Sequence, residues 1–164
     1  MRVDALTLAG WRNYGEQRLT FDESCNVIYG ENAQGKTNLL EAIVYLGCGK
    51  SPRAHGEREL IGFEVQEASL VGSIFSRQRE FVTDIRLYRG KRRKMTVNGV
   101  AAKSAAALSD VLHTVFFSPE DLFLIRAGAA ERRRFMDASL CQLRPRYAEA
   151  LAQYGRLYEH KTRI

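Results

Sequence analysis

The chain has 164 residues, 45% of them hydrophobic and 27% charged, and Lys plus Arg outnumber Asp plus Glu by 25 to 19 for a net charge of +6. That length argues against two complete domains, and the composition against disorder or a fibrous repeat. The mild positive balance is compatible with a polyanionic partner such as nucleic acid without requiring one.

In chain order, residues 3–9 and 17–21 read as strands joined by a turn around Tyr14-Gly15, and the apolar run 25–29 suits a short buried strand. Residues 36–46 place Leu39, Leu40, Ile43, Val44 and Leu46 at helical spacing, with Gly47 and Gly49 ending the pattern. Residues 68–75, 81–88 and 94–100 form a β-rich insertion, about 64–102, with Asn98-Gly99 supplying turn chemistry. Ser104 is the expected N-cap of a helix reaching Leu112, residues 114–117 a second buried strand, and Ser118-Pro119 the start of another helical turn. Helix follows from Ala130, broken near Leu143-Arg144-Pro145 because a residue before proline is pushed out of helical conformation. Tyr147, Leu151, Tyr154 and Tyr158 then line one face. A helix still in register at Ile164 is read as part of a longer protein, with an ATP-binding lobe over 1–128 and a helical lobe beginning, truncated, at 129–164.

Cys25, Cys48 and Cys141 lack C-x-x-C spacing and His55, His113 and His160 are scattered, so neither a zinc site nor a disulfide framework is indicated. No run approaches the ~20 apolar residues of a membrane span, and a cytoplasmic location is expected.

The strongest motif is Gly30-Glu31-Asn32-Ala33-Gln34-Gly35-Lys36-Thr37, a G-x-x-x-x-G-K-[ST] phosphate loop between a predicted strand and a predicted helix. Phosphates are held there by backbone N–H groups and the positive end of the helix, at a distance that a Cβ would block. Gly30 and Gly35 supply that clearance, Lys36 reaches the β and γ phosphates of ATP, and the Thr37 hydroxyl can ligate Mg2+. Hydrolysis needs a further acid at the end of a second apolar strand. Asp84 follows too short a run and Glu120 is displaced by Ser118-Pro119, so binding without cleavage is expected of this chain.

Gly10-Trp11-Arg12-Asn13-Tyr14, the loop continued through Asn38, and Ser118-Pro119-Glu120-Asp121-Leu122 followed by Arg132-Arg133-Arg134-Phe135-Met136-Asp137 together resemble the bacterial RecF family of DNA replication and repair proteins. Leu46-Gly47, Glu59-Leu60-Ile61, the Asn98-Gly99 turn and the helix over 147–154 extend the resemblance nearly end to end. It implies an α/β fold: a P-loop NTPase head lobe of the ABC/SMC type with a β-rich subdomain and a helical segment starting a second lobe. It also implies an ATP-dependent homodimer, binding to double-stranded or gapped DNA, work with RecO- and RecR-type mediators in loading RecA, support of the SOS response, and a weak DNA-stimulated ATPase whose remaining motifs lie in the family's C-terminal part. By resemblance Arg12 and Asn13 border the nucleotide beside residues 30–38. Ser118 to Glu120 occupy the place of the Q-loop, which makes Lys36 and Glu120 the catalytic candidates, with Thr37 and Glu120 on Mg2+. Trp11 departs from the family's Phe, and Ala127-Gly128-Ala129 replaces its Gly-x-Pro.

Arg89, Lys91, Arg92, Arg93 and Lys94 crowd a hairpin connection and are the DNA-contact candidates, against the plainer reading of a solvated turn. Arg132, Arg133 and Arg134 step ~100° apart on a helix, so at most two could engage one surface such as DNA, and a structural role is expected instead, one arginine pairing with Glu131, Asp137 or a neighbouring lobe. The loop also admits a small-molecule kinase or a nucleotide-binding interaction module without hydrolysis.

Overall fold

The computed structural model describes residues 1–124, 126 and 128–162; the side chains of Glu120, Phe123 and Pro145 lie outside that description, as do Ala127 of the altered Gly-x-Pro and the terminal Arg163 and Ile164. The chain falls into two compact units, Met1–Thr114 and Val115–Ile164.

In the first unit, β1 (Arg2–Trp11), β2 (Tyr14–Thr20), β3 (Glu67–Ser76), β4 (Arg79–Tyr88), β5 (Lys94–Val97) and β6 (Val100–Ala101) form one antiparallel sheet in the order β2-β1-β3-β4-β5-β6. The β-rich stretch is therefore continuous with the N-terminal hairpin through the β1–β3 ladder. Period-two alternation sends Leu6 and Leu8, Ala68, Leu70 and Ile74, then Ile85, Leu87 and Met95 to one face, and all are buried. Gly10 breaks the alternation of β1: its φ of 62° shifts the parity so that Trp11 joins the same core, and a Cβ there would lie 2.5 Å from the Glu67 carbonyl oxygen. The helix α1 (Lys36–Cys48) covers this face with Leu39, Ala42, Tyr45 and Leu46, and Gly72 leaves room for Leu46. Asn98 and Gly99, both at positive φ, make the β5–β6 turn as expected, ending β5 at Val97.

Four local expectations are corrected. Residues 25–29 form no strand, and Val27 and Tyr29 are 79% and 89% exposed. Among the described residues no strand lies beside them, and a strand is buried only when paired. Gly47 does not end α1: it is buried inside the helix, where a Cβ would meet the Leu112 carbonyl at 2.7 Å, and Gly49 in left-handed conformation makes the cap. Ser104 caps nothing; the helix shrinks to α2 (Ala106–Ser109) with Ala105 at its N-cap, because no side chain accepts from its first turn.

Residues 114–117, expected as a buried strand, are irregular where the second unit begins, and Val115 and Phe117 are 99% and 70% exposed. They too lack a neighbouring strand among the described residues. The turn at Ser118-Pro119 is confirmed as a single 3-10 turn, Pro119–Phe123, closed by a capping box between Ser118 and Asp121. The helices α3 (Ala129–Leu143) and α4 (Pro145–Thr162) pack together, separated at Arg144, which is extended before Pro145. Tyr147 donates to Asp137 across the pair at 2.5 Å, and Arg134 pairs with Glu131 at 3.2 Å.

Candidate nucleotide-binding site

The phosphate loop runs from Gly30 into α1 and turns by left-handed residues: Gly30 has φ 147°, Ala33 φ 66° and Gly35 φ 98°. Ala33 accepts this at a cost of about 1 kcal/mol, a strain found where backbone N–H groups are turned inward to hold an anion. The Lys36 ammonium folds over the ring and donates to the carbonyls of Gly30 (2.8 Å) and Glu31 (2.5 Å). Glu31, Asn32, Ala33, Gln34 and Thr37 are exposed. Among the described residues, the Thr37 hydroxyl has no protein partner.

The β1–β2 hairpin props this loop. At its tip Asn13 donates to the Gln34 carbonyl at 3.2 Å and accepts from the Asn38 amide at 2.9 Å. Tyr14 donates its hydroxyl to the Gly35 carbonyl at 3.2 Å, and the Trp11 indole donates to the Asn38 carbonyl at 2.9 Å. Asn13 lies so close to Gly35 that a Cβ would sit 2.6 Å from its side-chain oxygen. Gly35 thus serves two needs, positive φ and the brace from Asn13.

Beneath the hairpin lies a residue that reading the sequence passed over. Glu41 has a fully buried side chain and takes two hydrogen bonds from the Arg12 guanidinium, at 2.9 and 2.8 Å. Ser51 donates to the same carboxylate at 2.5 Å, and Arg53 stands 3.8 Å away. Burial pushes the Glu41 carboxyl up, but the hydrogen bonds from Arg12 and Ser51 and the charges of Arg12 and Arg53 outweigh it, and the group lies below its usual range. The available signal was a carboxylate among Leu39, Ala42, Tyr45 and Leu46 on the buried stripe of a helix, which requires a cationic partner. Arg12 is that partner. It also donates to the Glu59 carbonyl at 2.9 Å, so it reaches the site as a strut as well as a lining residue.

The five basic candidates divide. Arg89 donates to the carbonyls of Val65 (2.9 Å), Gly62 (2.9 Å) and Ile61 (3.4 Å), and Arg93 to Glu57 (2.6 Å), Gly49 (2.5 Å) and the Tyr45 hydroxyl (2.8 Å). Burial pushes the Tyr45 phenol up, with Arg93 countering and Glu57 reinforcing the shift. Lys91 rests on the Tyr88 ring at 4.0 Å, while Lys91, Arg92 and Lys94 are exposed. The structure brings Asn13 to residues 30–38, while Arg12 bonds Glu41 and Glu59 and shares a surface groove with Asn38; the Glu120 side chain, the expected second Mg2+ ligand, lies outside the described residues.

Residues 5–143 match the family model described as an AAA domain. The chain is 38% identical over 164 residues to the DNA replication and repair protein RecF of Agathobacter rectalis, covering 100% of this chain and 45% of that protein. It is similar to the solved structure of the recombination mediator protein RecF with ATP in the RecFOR pathway, at a TM-score of 0.89 and 34% identity over 94% of this chain and 42% of that one. A structure from work on ATP-driven dimerization and DNA-stimulated activation of SMC ATPases is matched at a TM-score of 0.66 and 23% identity, over 83% of this chain and 98% of that one, a likeness of fold alone. The chain spans less than half the length of the curated relatives it matches. The resemblance to RecF holds over the whole chain, and the fold is the P-loop head of the ABC/SMC type.

Proposed function

This chain belongs to the AAA-domain family, and on that premise we propose that it is the ATP-binding portion of a RecF-like protein of DNA replication and recombinational repair. The observation that carries the reading is the Lys36 ammonium folded onto the Gly30 and Glu31 carbonyls of a loop braced by Asn13 and Tyr14. A lysine so placed has only to exchange neutral carbonyl partners for β and γ phosphate oxygens, which accept stronger, charge-assisted hydrogen bonds. The exposed Thr37 hydroxyl, without a protein partner among the described residues, fits a Mg2+ ion, which would neutralise phosphate charge. The backbone N–H groups of residues 30–37 orient the phosphates, and Lys36 stabilises their negative charge. This chain binds nucleotide without cleaving it, with an ATP-binding lobe over residues 1–128 and a helical lobe beginning at residue 129.

The longer protein binds double-stranded or gapped DNA, dimerises around ATP, and assists RecA loading with RecO- and RecR-type mediators during the SOS response, in the cytoplasm. Support comes from the relatives named RecF and from the exposed cations Lys91, Arg92 and Lys94. Added DNA is expected to raise ATP turnover or the dimer fraction of the longer protein, measured by phosphate release and by light scattering. No change in either would overturn this reading.

A further inference from the structure

A cavity separate from the nucleotide site opens at the far end of α1. The phosphate loop leads into that helix at Lys36 and the helix ends at Cys48, so a rise of about 1.5 Å per residue sets the two ends roughly 18 Å apart. The cavity holds about 350 Å³, and its walls include Tyr45, Lys50, His55, Glu57, Leu60 and Arg93.

Arg93 is anchored there through one nitrogen only. Its Nη1 donates to the Tyr45 hydroxyl (2.8 Å), the Gly49 carbonyl (2.5 Å) and the Glu57 carboxylate (2.6 Å), while Nε and Nη2 have no acceptor among the described residues. Planarity makes those two nitrogens a fork that matches the paired oxygens of an oxyanion. Glu57, the carboxylate in the wall, is already engaged by Arg93 and by the Tyr45 hydroxyl at 3.1 Å. Lys50 and His55 are exposed, and neither side chain has a hydrogen-bond or ion-pair partner among the described residues. Lys91, Arg92 and Lys94, exposed beside Arg93 in the chain, make the field at the cavity more positive.

We propose that this cavity is a second anion site, built for a phosphomonoester. The Arg93 fork holds two phosphate oxygens, Lys50 supplies a point charge, and the wall at Leu60 packs against the group that carries the phosphate. A phosphate with two charges gains more from this field than a carboxylate with one. The volume is within the range of small-molecule sites. It suits a free phosphorylated metabolite or the terminal phosphate of a nucleic-acid strand, and not a phosphodiester flanked by sugars on both sides.

Heteronuclear NMR of the Lys36→Ala chain, in which the loop's own lysine contact to phosphate is removed, tests this residue by residue. Inorganic phosphate is expected to shift the Arg93 Nε–H and the backbone N–H groups of Lys50, His55 and Gly56 saturably. Adding Lys50→Ala should weaken that response by at least about ten-fold at an unchanged unfolding temperature, since one charge-assisted contact is lost from a side chain that holds nothing else. Acetate should bind more weakly than phosphate. Glycerol phosphate and a terminally phosphorylated oligonucleotide, each compared with its unphosphorylated form, separate the two sources, and the tighter binder at these resonances identifies the ligand. The proposal is overturned by the absence of a saturable shift at Arg93, by a response unchanged in Lys50→Ala, by equal affinity for acetate, or by a phosphate group that adds nothing to either compound.

Discussion

Replacing Glu41 with Gln keeps the shape of the side chain and removes its charge. In the wild type this carboxylate receives two hydrogen bonds from Arg12 and one from Ser51 inside the protein. A glutamine can keep one of the acceptor contacts, but its amide turns donor against donor toward the guanidinium. Breaking a buried ion pair on one side costs about 3–5 kcal/mol. Arg12 retains 20% exposure, so water screens part of the orphaned charge and about 2–3 kcal/mol is expected. For a chain of this size that lowers the unfolding temperature by roughly 6–10 °C. Thermal unfolding followed by circular dichroism, in a cycle with Arg12→Met, isolates the pair: the double variant should lose at least ~1 kcal/mol less than the sum of the single losses. A loss below about 0.5 kcal/mol for Glu41→Gln, or strict additivity in the cycle, would refute the strut described for the hairpin.

Acid should erase the advantage of Glu41. A carboxyl held below its usual range contributes stability that is complete above its unfolded pKa, about 4.5, and fades as pH falls through the lower folded value. The gap in unfolding temperature between wild type and Glu41→Gln should therefore be constant near neutrality and shrink in acid; a gap that widens in acid contradicts the assignment. Gly35→Ala meets Asn13 at 2.6 Å and requires a Cβ at φ 98°, so ATP binding should fall at least ten-fold while the sheet stays folded. Arg93→Ala should lower stability by about 1–2 kcal/mol, since Glu57 is half-exposed, whereas Arg92→Ala leaves stability unchanged and, in the longer protein, reduces the salt dependence of DNA binding. Equal stability losses from the two would remove the distinction drawn between them.

What could be read in the sequence was what depends on local pattern. The hairpins alternate with period two, Asn98-Gly99 supplies its own turn geometry, and Arg144 before Pro145 ends a helix by sterics alone. The loop from Gly30 to Thr37 was legible because each residue type is tied to one physical demand. Residues 25–29 and 114–117 were misread because their apolar runs describe strands only if a neighbouring strand exists, and pairing is not a property of the run itself. The Glu41–Arg12 pair spans 29 positions and the Arg93–Tyr45 contact spans 48, distances at which periodicity carries no information. Of the basic cluster, sequence could give the charge but not the carbonyls that Arg89 and Arg93 already satisfy.

The central claim is that this loop holds the phosphates of ATP through Lys36. Calorimetric titration of ATP into the wild-type chain and Lys36→Ala, with the unfolding temperature as control, tests it most directly. Saturable binding by the wild type, weakened by more than about ten-fold in Lys36→Ala at unchanged unfolding temperature, is the predicted result, the loss expected when a charge-assisted contact to phosphate is removed. Equal ATP affinity for the two chains would contradict the account.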